Sequence, residues 1–207
     1  PNLFFSVMQP KIKSIELMKL VKERKNESGI VYCSTRKAVE EVCELLQKNG
    51  FAATRYHAGL DENERRRNQD DFVYDRAAIM VATNAFGMGI DKSNVSFVIH
   101  YNMPKNMESY YQEAGRAGRD GRSADCILLY SAKDVRTNQL LIKNSEPNPD
   151  LTEDEQEEVR RRDRERLNQM TFYSTTHKCL RKFILEYFGD KGPERCEKCS
   201  NCLSNHE

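Results

Sequence analysis

Residues 30–50 read IVYCSTRKAVEEVCELLQKNG. The opening Ile30-Val31-Tyr32-Cys33 is a short apolar run without polar alternation, which suits a parallel strand buried on both faces. Ser34 and Thr35 offer a helix N-cap. Ala38, Val39, Val42, Leu45 and Leu46 then recur at helical spacing until Lys48 and Gly50 close the last turn. A buried strand feeding an amphipathic helix is the repeating unit of an α/β fold.

The unit recurs downstream. Phe51 to Tyr56 reads as the next strand, and Asp61 with Glu64 has capping-box spacing that opens a helix reaching about Phe72. Ala78 to Val81 and Val95 to Ile99 are two further strands. A helix from about Met107 to Ala117 and a strand from Cys126 to Tyr130 complete the set. Strand and helix in alternation predict an α/β sandwich around a mostly parallel sheet over residues 1–132.

After Ser131 the character changes. Ser131 and Asp134 again have capping-box spacing, with a helix to about Asn144, and residues 145–150 carry two prolines. Thr152 and Glu155 open a charged stretch, acidic first and basic afterwards, an order that suits the helix dipole. Residues 133–207 therefore predict a smaller helical unit, with 145–168 as a charged linker whose simplest role is a solvated helix.

Composition sets outer bounds. Apolar residues make up 38% of the 207, enough for a packed core, and no apolar run is long enough to span a membrane. A net charge of +1 leaves any phosphate contact to local clusters. The opening residues lack the basic start and apolar stretch of a signal peptide, and a chain beginning on proline points to a piece of a longer protein. Seven cysteines, an odd number without a secretory signal, argue for a reducing, intracellular compartment and against a disulfide framework. That means nucleoid or cytoplasm in a bacterium, and the nucleus in a eukaryote.

Four stretches carry chemistry. Residues 112–121, QEAGRAGRDG, set two arginines three apart on a helical turn with small residues between them. A guanidinium stays protonated and donates in a fixed fork, which suits a phosphate gaining charge during transfer. Pairing with acidic neighbours is the plainer alternative. Residues 82–92, ATNAFGMGIDK, place glycines in a loop after a strand, where open α/β sheets bind ligands, although an ordinary strand-to-helix turn has the same form. There Gly87 and Gly89 permit close backbone approach, and Asp91 suits a ribose hydroxyl. Residues 32–37, YCSTRK, and 56–60, YHAGL, also follow strands, so hydroxyls, amides and a basic pair gather at one sheet edge.

A separate signal is Cys179-x16-Cys196-x2-Cys199-x2-Cys202. Four thiolates satisfy a structural zinc ion in a tetrahedron, with an iron–sulfur cluster as the main alternative. Cys33, Cys43 and Cys126 sit in apolar segments and read as core. Tyr110, Tyr111, Tyr173 and Tyr187 are placed by packing, and Arg65 to Arg67 by a solvated helix face.

Taken together, GMGIDK followed by QEAGRAGRDG resembles the second RecA-like domain of superfamily 2 helicases, and specifically the RecQ family. The resemblance runs from about Asn2 to Cys202. It implies an ATP-dependent DNA helicase, moving 3′ to 5′, with the fold of a RecA-like parallel-sheet domain followed by a small helical zinc-binding domain. By resemblance, Arg119 is the arginine finger on the γ-phosphate, Arg116 assists, and Gln112 couples nucleotide state to the domain interface. Asp91 lies near the nucleotide ribose, and Ser34, Thr35, Arg36, His57 and Thr83 contact single-stranded DNA. The Cys179-Leu180-Arg181-Lys182 and Tyr187-Phe188-Gly189-Asp190 stretches resemble the family's zinc module, which favours zinc. Leu180 and Ser200 depart from the arginine and aspartate common there.

No GxxxxGKS/T phosphate loop and no acidic magnesium-binding motif occurs. The resemblance puts both on a first motor domain, which becomes the expected partner alongside single-stranded DNA and duplex junctions. ATP and Mg²⁺ are then cofactors of the intact enzyme, and the chain alone should hydrolyse ATP negligibly. Two other readings remain: a non-catalytic zinc-stabilised binding module, and an RNA helicase of the same superfamily.

Overall fold

A computed structural model of the chain describes residues 2–83 and 92–204. In chain order the elements are β1 (Leu3–Met8), α1 (Lys13–Glu23), β2 (Ser28–Tyr32), α2 (Arg36–Lys48), β3 (Ala53–Tyr56), α3 (Glu62–Val73) and β4 (Ile79–Ala82). They continue with β5 (Val95–His100), α4 (Met107–Ala114), β6 (Ala124–Leu129), α5 (Ala132–Lys143), α6 (Glu153–Thr175), α7 (Leu180–Tyr187) and α8 (Ser200–Ser204). Six strands form one sheet in the order β1-β6-β5-β2-β4-β3, and every neighbouring pair is parallel.

The expected strands and helices are present, with ends displaced by a residue or two except at α4, which stops at Ala114, three residues before the expected Ala117. Thr35 caps α2 through a 3.1 Å bond from Ala38 N–H, and Asp61 caps α3 through 2.8 Å from Glu64 N–H. The Asp61 box is only half made, because the Glu64 carboxylate is taken by Arg55 at 2.9 Å. The box expected at Ser131 does not form: Ser131 makes no side-chain cap bond, and the Asp134 carboxylate turns inward to Lys13, Asn102 and Met103. At Thr152 both halves of the box are made, and the charged stretch continues as the first part of α6, laced by pairs such as Arg161–Glu158 and Arg164–Glu157. Exposed pairs of this kind add little stability individually.

Within residues 1–132 two elements have no counterpart in the sequence reading, and beyond them neither do the bounds of α7 and α8. β1 lies at the sheet edge beside β6 with most residues only half-buried, although LFFSVM is apolar at every position except Ser6. α1 buries only Leu17, Leu20 and Val21.

One apolar layer lies between the sheet and α1 and α2, built from Leu17, Val39, Val42, Leu46, Val31, Val81 and Ile99. The opposite layer joins Tyr32, Met80, Val98 and Leu128 to Met107, Tyr110 and Ala114 of α4. It runs on without a break to Met170 and Tyr173 of α6 and Leu180 and Ile184 of α7. Tyr110 and Tyr173, both fully buried, meet hydroxyl to hydroxyl at 3.0 Å. Cys33, Cys43 and Cys126 are buried as core thiols, and burial pushes Cys126 up to about 12 and Cys43 up to about 11.

Gly29 in the central strand β2 has no room for a side chain, since a Cβ there would stand 2.1 Å from the Phe97 ring of neighbouring β5. Both strands are held by partners on either side, so neither yields cheaply. Gly29→Ala is expected to cost about 3 kcal/mol through overpacking, lowering Tm by roughly 6–12 °C. A thermal melt unchanged to within a degree would contradict that packing.

Candidate functional site

The carboxyl ends of β2, β4 and β3 lie side by side, and the chain leaves each of them into a loop that carries expected contact residues. Cys33 N–H reaches Ala82 O at 2.8 Å and Thr83 N–H reaches Tyr56 O at 3.2 Å, so the backbone pairing carries past the strand ends. Beyond it stand Ser34, Thr35 and Arg36, with His57 after β3 and Thr83 after β4. Thr35 and Arg36 are exposed, Ser34 is half-buried, and Thr83 and His57 are buried. A Cβ at Gly59 would lie 3.0 Å from the His57 ring and 3.3 Å from Arg36 Cδ. The missing side chain thus lets two neighbouring loops pack together.

His57 is fixed from both ring nitrogens. Nδ1 accepts from Gly59 N–H at 3.0 Å, which leaves the ring proton on Nε2 to donate to Glu40 Oε1 at 2.6 Å. Glu40 also accepts from Arg55, which reaches Glu64 as well. Burial alone would raise the Glu40 carboxyl, but the His57 and Arg55 hydrogen bonds outweigh it and hold the group below its usual range. Glu40 and Arg55 were not singled out from sequence. An arginine within a four-residue strand, ATRY, was the available signal.

The two arginines are held differently from the expected helical turn. α4 stops at Ala114, and residues 115–122 form a run of tight turns. Gly118 takes φ +66°, its N–H bonds Val95 O at 2.9 Å, and Asn2 Nδ2 bonds its carbonyl at 2.7 Å. A Cβ on Gly118 would stand 2.5 Å from Asn2 Nδ2. This position demands glycine twice, by backbone angle and by space. Arg119 and Gln112 are exposed, whereas Arg116 is half-buried beside Tyr32 with its Nε shielded from solvent. Burial raises the Tyr32 hydroxyl far above its ordinary range despite the nearby Arg116 and Arg119 charges. His100 stacks on Tyr32 at 5.2 Å and meets Glu113 at 3.3 Å. Gly87, Gly89 and Asp91 lie outside the described residues.

The four expected metal ligands come together. The sulfurs of Cys179, Cys196, Cys199 and Cys202 all lie within 4.8 Å of one another, Cys196 and Cys202 at 3.9 Å. A tetrahedral ion with bonds of about 2.3 Å separates its sulfurs by roughly 3.8 Å. The cluster therefore fits one ion, and its span is tight for a multi-iron cluster. Peptide N–H groups already point at the sulfurs: Lys198 and Cys199 at Cys196 (3.4 and 3.2 Å), Leu180 and Cys202 at Cys199 (both 3.4 Å). Burial opposes ionisation at Cys196, but these amides draw its thiol below the ordinary range. Those N–H bonds are the outer support that orients metal ligands.

Leu180 and Ser200, the two departures noted above, both have structural work. Leu180 is fully buried in the layer shared with the sheet. Ser200 Oγ accepts from Val7 N–H at 3.1 Å, and Arg181 donates to Leu3 O while lying over the Phe5 ring. The cysteine knuckle thereby covers part of the open edge of β1.

Comparison with known proteins agrees with this geometry. Residues 12–121 match the helicase conserved C-terminal domain family, and residues 132–203 match the RecQ zinc-binding family. The ATP-dependent DNA helicase RecQ of Bacillus subtilis is 46% identical over 97% of this chain and 32% of its own length. A putative ATP-dependent RNA helicase of Acanthamoeba polyphaga mimivirus is 36% identical over all of this chain and 36% of its own. A solved DEAD box protein from Methanococcus jannaschii superposes with a TM-score of 0.57 at 27% identity, covering 69% of this chain and 40% of that one. The chain spans about a third of the length of these curated relatives. Among the described residues no helix is long and apolar enough to cross a membrane. An all-parallel sheet of RecA-like order and a four-thiol cluster suited to structural zinc agree with both family matches, so this chain belongs to the RecQ-type superfamily 2 helicases and represents their C-terminal region.

Proposed function

We propose that the chain supplies the second motor lobe and zinc module of an ATP-dependent DNA helicase that moves 3′ to 5′, the lobe over residues 1–132 and the module over 133–207. The observation that carries this reading is the Gly118 turn, which sets Arg119 out on the surface while keeping Arg116 beside Tyr32. In this assignment Arg119 reaches the γ-phosphate of an ATP held with Mg²⁺ by a first RecA-like lobe. Arg116 assists and Gln112 senses the interface, while Gly87, Gly89 and Asp91 contact the nucleotide. Ser34, Thr35, Arg36, His57 and Thr83 form part of the track for single-stranded DNA beside a duplex junction. ATP closes the cleft between lobes and hydrolysis reopens it, and each cycle changes the grip on the strand. Cys179, Cys196, Cys199 and Cys202 hold zinc as a structural ion, which orders the knuckle and takes no part in phosphoryl transfer. A helicase of this class works at chromosomal DNA, in the nucleoid or the nucleus.

Phosphoryl transfer needs charge stabilisation from both sides of the nucleotide. The 207-residue chain alone should therefore show no ATP turnover above background, with or without single-stranded DNA, while the full-length protein shows DNA-stimulated hydrolysis. DNA-stimulated turnover by the purified chain would refute the division of labour between lobes.

A further inference from the structure

The amide of Asn102 stands where four segments meet. Its Oδ1 accepts from Ser34 N–H at 2.9 Å, and its Nδ2 donates to Asp134 Oδ1 at 3.2 Å. Asp134 Oδ2 accepts in turn from Lys13 Nζ at 2.5 Å and from Met103 N–H at 3.2 Å. Lys13 also donates to Tyr101 O at 2.7 Å, and Asn138 of α5 donates to Met103 O at 2.9 Å. A peptide N–H only donates and a carboxylate only accepts, so the two ends of the Asn102 amide have one possible orientation. Asp134 and Asn138 are both buried, which makes this arrangement costly to dismantle.

Ser34 is where the ladder of β2 runs out. Cys33 N–H still bonds to β4, but the next N–H bonds to Asn102 instead of to a strand. One residue later the Thr35 side chain caps α2. The short exposed loop before α2 is therefore tied at one end by a side chain of the β5–α4 connection and at the other by its own cap.

We propose that Asn102 is a positioning residue for the nucleic-acid track: it fixes the backbone at Ser34 so that Thr35 and Arg36 are presented in one conformation, and Asp134, held by Lys13, orients it. The inference rests on the reading of Ser34, Thr35 and Arg36 as DNA contacts. Ordering a loop before the ligand arrives removes an entropic cost from binding, so losing the tie weakens affinity without removing any contact to phosphate.

The test is the binding of a labelled oligothymidylate by the full-length protein over a series of salt concentrations. Arg36→Ala removes a phosphate-neutralising charge and should flatten the slope of log affinity against log salt by about 0.7. Asn102→Ala removes no charge and should bind about tenfold more weakly at an unchanged slope, with Ser34 N–H exchanging at least tenfold faster in the free protein. If Arg36→Ala changes neither affinity nor slope, this edge is not the track and the functional reading fails with the inference. If Arg36→Ala behaves as expected but Asn102→Ala binds like the wild type, the positioning role alone is wrong. Should Asn102→Ala fail to fold, Asp134→Asn decides the matter, because it keeps an oxygen for Asn102 while dropping the charge that Lys13 holds. A two- to threefold loss at unchanged slope supports the role, and wild-type affinity overturns it.

Discussion

Arg119→Ala in the full-length helicase is expected to lower DNA-stimulated ATP turnover by about 10³- to 10⁵-fold, the range over which arginine fingers act. The loss should fall on turnover and leave binding of single-stranded DNA in place, since the side chain is assigned to the transferring phosphoryl group and not to the strand. Arg119 is exposed, and the turn that carries it is fixed by Gly118, Asn2 and Val95, none of which the substitution touches. A folding defect is therefore not the expected cause. Arg119→Lys should recover little, because an ammonium keeps the charge but loses the planar fork that grips two oxygens at once. Single-turnover hydrolysis and DNA binding measured on the same preparations separate the possibilities. Unchanged hydrolysis would favour a non-catalytic zinc-stabilised binding module.

Cys199→Ser should have the second largest effect. Cys199 is the most buried of the four ligands, and its sulfur accepts two of the peptide N–H bonds that shape the knuckle. Structural zinc contributes on the order of 10 kcal/mol of apparent folding free energy in small metal-dependent modules. Losing even part of that opens the knuckle. Cys179, Cys199 and Cys202 share an apolar layer with Phe5 and Ile184, and Ser200 and Arg181 hang on β1, so the damage should spread to the sheet edge. Zinc content is expected to fall from about one ion per chain to near zero. A loss of several kcal/mol lowers Tm by about 10 °C or more in a chain of this size. Metal analysis with an absorption spectrum checks ligand and ion together: a colourless wild-type chain carrying zinc is the expected result, and a brown one means iron. Full zinc occupancy with an unchanged melt in Cys199→Ser would remove this residue from the ligand set.

Much of the fold was legible because burial on both faces leaves a plain mark. Ile30 to Tyr32, Ile79 to Ala82 and Val95 to Ile99 are apolar runs, and helix caps such as Thr35 and Asp61 are local chemistry that works wherever the chain goes. LFFSVM is an equally apolar run, but that pattern does not say that β1 lies at the sheet edge or what covers it: its cover comes from Arg181 and Ser200, far along the chain. The Ser131 box failed for the opposite reason. Its spacing was right, but a buried carboxylate is better satisfied by Lys13, Asn102 and Met103 than by one peptide N–H at a helix end.

By itself the sequence determined which residue types were available, including two arginines three apart, four cysteines at metal spacing, and loops with glycine and hydroxyls after buried strands, because these depend only on local order and side-chain chemistry. Tertiary structure alone decided how they are held. Glu40 and Arg55 fix His57, Asn102 fixes Ser34, and Gly118 locks the arginine turn against Asn2 and Val95. Hydrogen bonds across such separations depend on where the sheet brings the segments together, and nothing in the spacing of neighbouring residues encodes that meeting point.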